Sequence, residues 1–371
     1  MATAVATKQA AAPQRPPATP SARLVSLDAY RGFIMLILAG SGFGLAVLKN
    51  YPNWAWLAAQ VDHAAWEGCT FWDLIQPAFT FMVGIAMPLA FARRAAEGAK
   101  NREVFKHVLS RAGLLIVLSN IFSNWGATGP LKFQLINVLC QIAIGYVLCF
   151  LITRLPFKQQ AITAAATLAG YWALYLLFPS PNGPFSQYGN VGAVLDLNLL
   201  GYNYSGYYTT LNAVGNGITI LFGCWAGMLF QSQHTHVEKI KILAIAAVAC
   251  FTFGLLLQPF NPMIKRLWTV SFTFWSTGWV LLMLIAFYWI IEVKGHKNWA
   301  FPLTVVGMNS IFIYSLGQIG IKGWLDRGLA GFTRKFALFG DLGIIPHQLV
   351  VLAFLWYACY WLYQRKIFLK V

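Results

Sequence analysis

The chain has 371 residues, of which 58% are hydrophobic and only 10% carry a formal charge. Soluble globular domains carry charges on about 25% of their residues, so this composition excludes a soluble globule. The formal net charge is +16, but a nucleic-acid-binding protein needs a basic, soluble surface, and a chain built from apolar segments does not offer one. The composition is typical of a protein that is embedded in the lipid bilayer.

The N-terminal residues 1–22 are rich in alanine and proline and contain no continuous apolar run. Such a segment is not a signal peptide, and we expect a disordered cytoplasmic tail. No Pro/Ser/Gly-rich linker divides the remaining chain. Residues 23–371 are therefore predicted to form a single transmembrane domain.

Ten apolar segments follow the tail, each about long enough to cross a bilayer, which takes roughly 17–25 residues. They predict an all-α fold, a polytopic bundle of about ten transmembrane helices. The first segment is the weakest, because it is short and contains three closely spaced glycines. The segments are residues 32–48, 70–92, 108–124, 132–153, 160–178, 210–230, 239–257, 270–291, 301–320 and 345–363.

Lysine and arginine are concentrated in alternate loops. If the N-terminus lies in the cytoplasm, every cytoplasmic loop is basic, which is the positive-inside pattern of multi-pass proteins. Both termini are therefore predicted to be cytoplasmic, with a bacterial inner (plasma) membrane as the expected location. Anionic lipid headgroups account for the net positive charge. The oligomeric state stays open, with a homo-oligomer as one alternative.

A histidine and three carboxylates lie together at the start of the second segment: Asp62, His63, Glu67 and Asp73. The whole chain has only 11 acidic residues, and a charge near hydrocarbon costs about 2.5–3.5 kcal/mol on insertion scales. A carboxylate beside an imidazole orients the ring as a general base. These four residues are the catalytic candidates, and an interfacial histidine without a role is the alternative.

Further polar residues lie at or within the apolar segments. Asp28 and Arg31 share one helix face, which fits either a helix cap with an ion pair or an arginine that faces the phosphate of a cytoplasmic ligand. Gln141 and Asn309 lie deep in the fourth and ninth segments. Such amides either join neighbouring helices or line a hydrated cavity, and the sequence leaves both alternatives open.

With these residues in view, residues 23–363 resemble the catalytic region of heparan-α-glucosaminide N-acetyltransferase and its bacterial relatives. The order and spacing of four stretches carry the resemblance. They are RLVSLDAYRGF at 23–33, HAAWEGCTFWDLIQPAFTFMVG at 63–84, LWTVSFTFWSTGWVLL at 267–282 and WAFPLTVVGMNSIFIY at 299–314.

The resemblance implies transfer of an acetyl group from cytosolic acetyl-CoA, as co-substrate, to the amine of an amino sugar or glycan on the outer face. It places the active-site histidine at His63 and the accompanying aspartate at Asp73. We expect no metal. The residues expected around the donor are Asp28, Arg31, Arg93, Arg94, Arg111 and Gln141, and those expected around the acceptor are Trp66 and Asn309.

The sequence departs from the family pattern at three places. Near the outer end of the first segment, Ser41 or Gly42 takes the place of an expected asparagine. In the fourth segment, Leu-Cys-Gln at 139–141 takes the place of a Leu-Gln-Arg triplet. The stretch before the sixth segment, GYYTTLNAVGNG at 206–217, lacks the expected carboxylate. These departures favour an alternative function, a non-catalytic transporter or a glycan- or lipid-binding membrane protein.

Overall fold

A computed structural model describes residues 24–178, 180–201 and 208–369, and the tail predicted over residues 1–22 lies outside them. Within these residues the chain is helical and no strand occurs, so the predicted all-α class is confirmed. The α-helices are α1 Val25–Ala39, α2 Ala55–Gln60, α3 Ile75–Ala96, α4 Asn101–Ser123, α5 Val138–Ile152, α6 Phe157–Leu177, α7 Val191–Leu200, α8 Asn212–Gln231, α9 His236–Leu257, α10 Val270–Tyr288, α11 Phe301–Met308, α12 Ser310–Gln318, α13 Ile321–Ala330 and α14 Ile344–Gln364.

Seven helices in the described part of the chain are long and apolar enough to cross a membrane, and two bent pairs raise this number to nine. Helix α5 coincides with a further predicted segment but has only 15 residues. Each of the ten predicted segments thus corresponds to a helix or a bent helix pair. The protein is a multi-pass membrane protein, as the sequence predicted.

The two bent pairs are the first and ninth predicted segments. Helix α1 is followed by a 3₁₀ helix, Ser41–Asn50, with a bend of 51° between them. Helices α11 and α12 are separated at Asn309, with a bend of 59° across the break that this residue makes. Asn309 at the second break is fully buried, as non-helical backbone at membrane depth requires, whereas Ser41 at the first break is exposed.

Glycine residues allow the central helices to approach closely. A Cβ atom added at Gly32 of α1 would lie 1.8 Å from the carbonyl oxygen of Leu303 in α11, and one added at Gly307 would lie 1.8 Å from that of Asp28. Small residues are used in this way where membrane helices pack backbone against backbone. The closely packed pairs α1–α11 and α3–α8 fix the positions of α1 and α3, and these two helices border the site described next.

The helices alternate in direction, so the connecting segments gather at two ends of the bundle. We call one of them the His63 end, since the segment between α2 and α3 lies there. The other, which we call the opposite end, carries the start of α1 and the connections α3–α4, α5–α6, α8–α9 and α10–α11.

Candidate functional site

The segment between α2 and α3 is folded back on itself by the residues that flank His63. The Asp62 carboxylate accepts a hydrogen bond from the His63 backbone N–H at 2.8 Å, and the Thr70 hydroxyl donates to the Asp62 carbonyl at 2.6 Å. Asp62 is exposed. It therefore shapes the turn that presents His63.

His63 and Asp73 form a close pair. His63 Nδ1 lies 2.6 Å from Asp73 Oδ1, and the Asp73 side chain is only 2% exposed. The other oxygen, Oδ2, accepts hydrogen bonds from the backbone N–H groups of Ala64 and Thr70 and from the Thr70 hydroxyl, each at 3.1 Å. An ionised carboxylate only accepts, so Nδ1 is the donor in this pair, and in the neutral form of the ring Nε2 has a free lone pair.

Lys265 completes this group from the loop between α9 and α10. Its Nζ atom lies 3.5 Å from Asp73 Oδ1 and 3.3 Å from His63 Nδ1, and its side chain is 8% exposed. Burial of Lys265 lowers the pKa of its ammonium group to about 8, although the Asp73 carboxylate acts in the opposite direction. The neighbouring Arg266 donates to the Ala65 carbonyl oxygen and so ties this loop to the His63 segment.

A cavity of about 310 Å³ opens beside His63, and we call it the His63 cavity. Its volume is at the lower end of the range typical of small-molecule sites. Helices α1, α3, α5 and α12 supply its apolar wall, and Trp72 contacts the His63 ring edge-on with the ring centroids 6.4 Å apart. The polar side chains that line it are His63, Gln76, Tyr208, Lys265, Tyr314, Gln318 and Lys322.

The other predicted residues of the His63 segment lie away from the cavity. Glu67 is exposed and is not among the cavity-lining residues. Trp66 donates from Nε1 to the Phe185 carbonyl oxygen at 2.9 Å and packs with Tyr171 and Tyr175. Trp66 thus joins two loops at the His63 end, and Trp72 is the tryptophan that reaches the cavity.

The two deep amides have different surroundings. Gln141 is fully buried, donates to the Ile136 carbonyl oxygen at 2.8 Å and accepts from Gln76, which lines the cavity. Asn309 donates to the carbonyl oxygen of Ile367 at 3.2 Å and accepts from the N–H of Leu369 at 3.1 Å. The Asn309 amide is therefore hydrogen-bonded to the segment that follows α14.

The predicted donor-binding charges Asp28, Arg31, Arg93 and Arg94 lie toward the opposite end, and Arg111 lies in the middle of α4. Asp28 and Arg31 form an ion pair at 3.5 Å. Arg93 pairs with exposed Glu97 at 3.7 Å, and Arg94 lies 2.6 Å from His107 Nε2. Arg111 lies over the Tyr146 ring, 4.8 Å from its centroid. Helix α3 has 22 residues, so about 33 Å separates its two ends. The structure therefore does not bring these charges to His63.

Sequence reasoning missed Lys265, Trp72 and Gln76. Lys265 is 202 residues from His63 in the chain, so no local pattern joins them. A signal was nevertheless present, because Lys265 and Arg266 are adjacent basic residues in a loop on the predicted outer side. The positive-inside pattern leads us to expect few basic residues there.

The structure thus places a histidine–aspartate pair beside a cavity, inside a multi-pass helical bundle. A sequence model of the family "Heparan-alpha-glucosaminide N-acetyltransferase, catalytic" matches residues 23–186. Heparan-alpha-glucosaminide N-acetyltransferase of Homo sapiens is 24% identical over 94% of this chain, and that of Mus musculus is 22% identical over the same share. The chain is similar to this family over these residues, in agreement with the resemblance that the motifs carry.

The chain spans about 60% of the length of the curated relatives that it matches. The family match includes the His63 segment and ends before α8. Lys265 lies outside the matched range, in the part of the chain that only the alignments with the two relatives reach. The comparisons therefore show a similarity to this family, and the activity of this chain is a separate question.

Proposed function

We propose that this protein transfers an acetyl group from acetyl-CoA to the amine of an amino sugar, with His63 as the general base. One observation carries the proposal: His63 lines a cavity while its Nδ1 atom is held by a buried carboxylate. Similarity to an N-acetyltransferase family supports the reaction class. The geometry supports the role of the histidine.

The proposed reaction needs one base. The acceptor nitrogen attacks the thioester carbonyl carbon, a C–N bond forms, and the C–S bond breaks. His63 Nε2 takes the proton that the nitrogen loses and passes it to the departing thiolate of coenzyme A. A positioned base contributes about 10²–10⁴ in rate, which suits a thioester because its carbonyl is already activated.

The other two charged groups support this base. Asp73 fixes the ring orientation and the tautomer, and it stabilises the imidazolium that forms when Nε2 is protonated. Lys265 shares Asp73 Oδ1 with His63. Its ammonium charge keeps this buried carboxylate ionised, so that Asp73 remains an acceptor for Nδ1–H throughout the reaction.

A second route uses the same atoms. His63 Nε2 would itself attack the thioester carbon and release coenzyme A, and the acetyl-imidazole would then transfer its acetyl group to the acceptor amine. Acid quenching in the absence of acceptor distinguishes the two routes. A peptide containing His63 that is heavier by one acetyl group indicates the covalent route.

The donor is proposed to enter from the opposite end of the bundle. Arg93 and Arg94 lie at the end of α3, and Arg31 lies near the start of α1. Guanidinium groups suit the phosphates of coenzyme A. The acetyl end would then approach His63 from within the bundle, and the acceptor would enter from the His63 end.

Proteoliposomes loaded with labelled acetyl-CoA test the proposal when glucosamine is added outside. We expect the His63→Ala variant to lose at least about 10²-fold in transfer, the usual share of a general base. The matched control is His296→Ala, since His296 is exposed and lies at the opposite end. Full transfer by His63→Ala would refute the assignment. If no thiol is released from acetyl-CoA when amino sugar is added, the result would instead favour the transporter or binding-protein alternative.

A further inference from the structure

The stretch that connects α12 to α14 lies on the outside of the bundle. It consists of α13 and a 3₁₀ helix, Phe332–Gly343, and we call residues 321–343 the surface segment. No residue of α13 is buried, and only Thr333 and Gly343 are buried in the 3₁₀ helix. Lys322 lines the His63 cavity, so the segment lies at the His63 end. Because it joins the ninth and tenth membrane segments there, it lies at the level where the membrane meets water.

One side of the surface segment is held against α14 by hydrogen bonds. The Thr333 hydroxyl lies 2.7 Å from His347 Nδ1, and His347 Nε2 lies 3.3 Å from Asp326 Oδ1. The Gln348 amide nitrogen donates to the same Asp326 oxygen at 2.9 Å. Since His347 and Gln348 belong to α14, these contacts fix the inner side of the segment and leave its outer side exposed.

The outer side of the surface segment carries large apolar side chains. Leu338 is 90% exposed, the highest value for a large hydrophobic residue in the described part of the chain. Phe332 is 78% exposed, and Trp324 and Phe339 are each 64% exposed. Exposed apolar surface of this extent marks a site of interaction with another molecule or with a membrane.

Positive charges accompany these apolar side chains. Arg327, Arg334 and Lys335 are exposed, and no ion pair or hydrogen bond engages their side chains within the described ranges. The positive-inside pattern leads us to expect few basic residues at the His63 end. A group of unpaired cations there therefore points to an anionic partner.

The spacing of the residues places apolar and positive side chains on common faces. Trp324 and Arg327 are three residues apart in α13 and so share a helix face. Phe332, Lys335 and Leu338 follow one another at intervals of three in the 3₁₀ helix, where such side chains are aligned. Aromatic and aliphatic residues interleaved with lysine and arginine are typical of helices that lie in the membrane interface.

The mixture of apolar and positive groups selects the partner. In a two-fold dimer the same patch would face itself, so that Arg334 and Lys335 would meet the same cations of the second copy, and like charges placed together are unfavourable. Water leaves the apolar side chains exposed at a cost in free energy. An anionic phospholipid supplies a phosphate for the cations and acyl chains for the apolar residues.

We propose that the surface segment lies in the membrane interface and binds anionic phospholipids of the leaflet at the His63 end. Phe332, Leu338 and Phe339 extend to the upper part of the acyl chains, and Arg334 and Lys335 bind the phosphates above them. The long stems of arginine and lysine allow their charges to reach the headgroups from such a position. No step of acetyl transfer enters this inference, which therefore does not depend on the proposed function.

A fluorescent label on Leu338→Cys tests where the segment lies. In a Cys69→Ser background, which removes the only native cysteine that is not buried, the introduced cysteine is labelled with the environment-sensitive dye NBD in nanodiscs. We expect blue-shifted emission and quenching by lipids that carry a doxyl group near the top of the acyl chain. The control is Glu67→Cys, an exposed position at the same end, where the dye should report water.

The same label measures the preference for anionic lipid. Doxyl-labelled phosphatidylglycerol and doxyl-labelled phosphatidylcholine are compared at equal mole fraction. We expect an apparent local enrichment of phosphatidylglycerol of about threefold to tenfold, as a few lysine and arginine charges near a headgroup provide. Added salt should weaken it. In the Arg334→Gln/Lys335→Gln variant the enrichment should fall toward one, whereas Lys158→Gln/Lys297→Gln, exposed cations at the opposite end, should leave it unchanged.

Three results would overturn the proposal. The first is water-like emission from the label at residue 338. The second is equal quenching by both lipids, or an enrichment that Arg334→Gln/Lys335→Gln leaves intact. The third is a disulfide between two unlabelled Leu338→Cys copies together with loss of lipid quenching, which would show that a second copy covers this surface. None of these results bears on acetyl transfer by His63.

Discussion

Lys265 brings a positive charge into a buried site that already contains the His63–Asp73 pair. Its ammonium group lies 3.5 Å from Asp73 Oδ1. Removing one member of a buried charged group leaves the other charge without compensation, which is strongly unfavourable. The function of His63 is therefore expected to depend on a residue that the local motif does not contain.

We predict that Lys265→Met lowers kcat/KM for acetyl transfer by about 10–100-fold, since Asp73 loses the charge that keeps it ionised. The wild-type rate should fall above pH 8 as Lys265, whose pKa is about 8, loses its proton. The rate of the Lys265→Met variant should not show this decrease. The acceptor amine titrates equally in both proteins. The informative measurement is therefore the ratio of the wild-type rate to the Lys265→Met rate, followed from about pH 6 to about pH 10. A constant ratio would contradict the assigned role.

The lowered pKa of Lys265 also predicts how the stability of the folded protein depends on pH. Its pKa is about 8 in the folded protein, against an ordinary value of 10.5. Between these values the unfolded chain holds a proton that the folded chain has released, so the free energy of unfolding rises with pH. We expect the Tm of the wild type to rise by a few degrees relative to Lys265→Met over this interval, measured in nanodiscs. A parallel response of both proteins would count against the prediction.

At this scale the sequence predicted the site in part. His63 and Asp73 could be recognised because they are ten residues apart in an acid-poor chain, beside the start of a membrane segment. Lys265 could not be joined to them, because tertiary folding alone brings its loop to the His63 segment. Trp66 and Trp72 could not be distinguished either, since the turn between them decides which ring reaches the cavity.

Among the helices, the α1–α11 pair is the most sensitive to added volume. Gly307→Ala would place a Cβ atom 1.8 Å from the Asp28 carbonyl oxygen, and overpacking of this kind typically costs about 1–3 kcal/mol. We predict a lower Tm and a smaller monodisperse fraction in detergent size-exclusion chromatography. Gly113→Ala in α4 is the matched control, since nothing lies within 4 Å of its Cβ position. Equal stability of the two variants would contradict the close approach.

The helices were largely predictable, and their breaks were not. Apolar length alone located all ten segments, because each backbone polar group in a bilayer must be satisfied within its helix. The glycines at 40, 42 and 44 marked the first segment as weak, and a bend of 51° occurs there. The break at Asn309 gave no such sign, since a single asparagine in an apolar run fits an unbroken helix equally well.

The molecule as a whole has two chemically different ends. Most of the basic residues predicted to bind the donor lie toward one end, and His63, Lys265 and the His63 cavity lie at the other. This arrangement fits a reaction that joins a donor and an acceptor from opposite sides of a membrane. The orientation follows from the basic loops and is a prediction of the sequence.

Cysteine labelling in intact cells tests this orientation. In a Cys69→Ser background, which removes the only native cysteine that is not buried, we expect Lys335→Cys to react with a membrane-impermeant maleimide from outside. Arg102→Cys, at the start of α4, should react only after permeabilisation. Both positions are exposed, so access and not burial decides the result. The reverse labelling pattern would invert the proposed entry sides of donor and acceptor.

The contact between Asn309 and the chain beyond α14 has a practical consequence. The Asn309 amide donates one hydrogen bond to Ile367 and accepts one from Leu369, and so holds this segment against the break between α11 and α12. A purification tag fused immediately after Leu369 would strain these two hydrogen bonds and weaken the packing at the break between α11 and α12. A flexible spacer, or a fusion before residue 23, would leave the bundle intact for reconstitution.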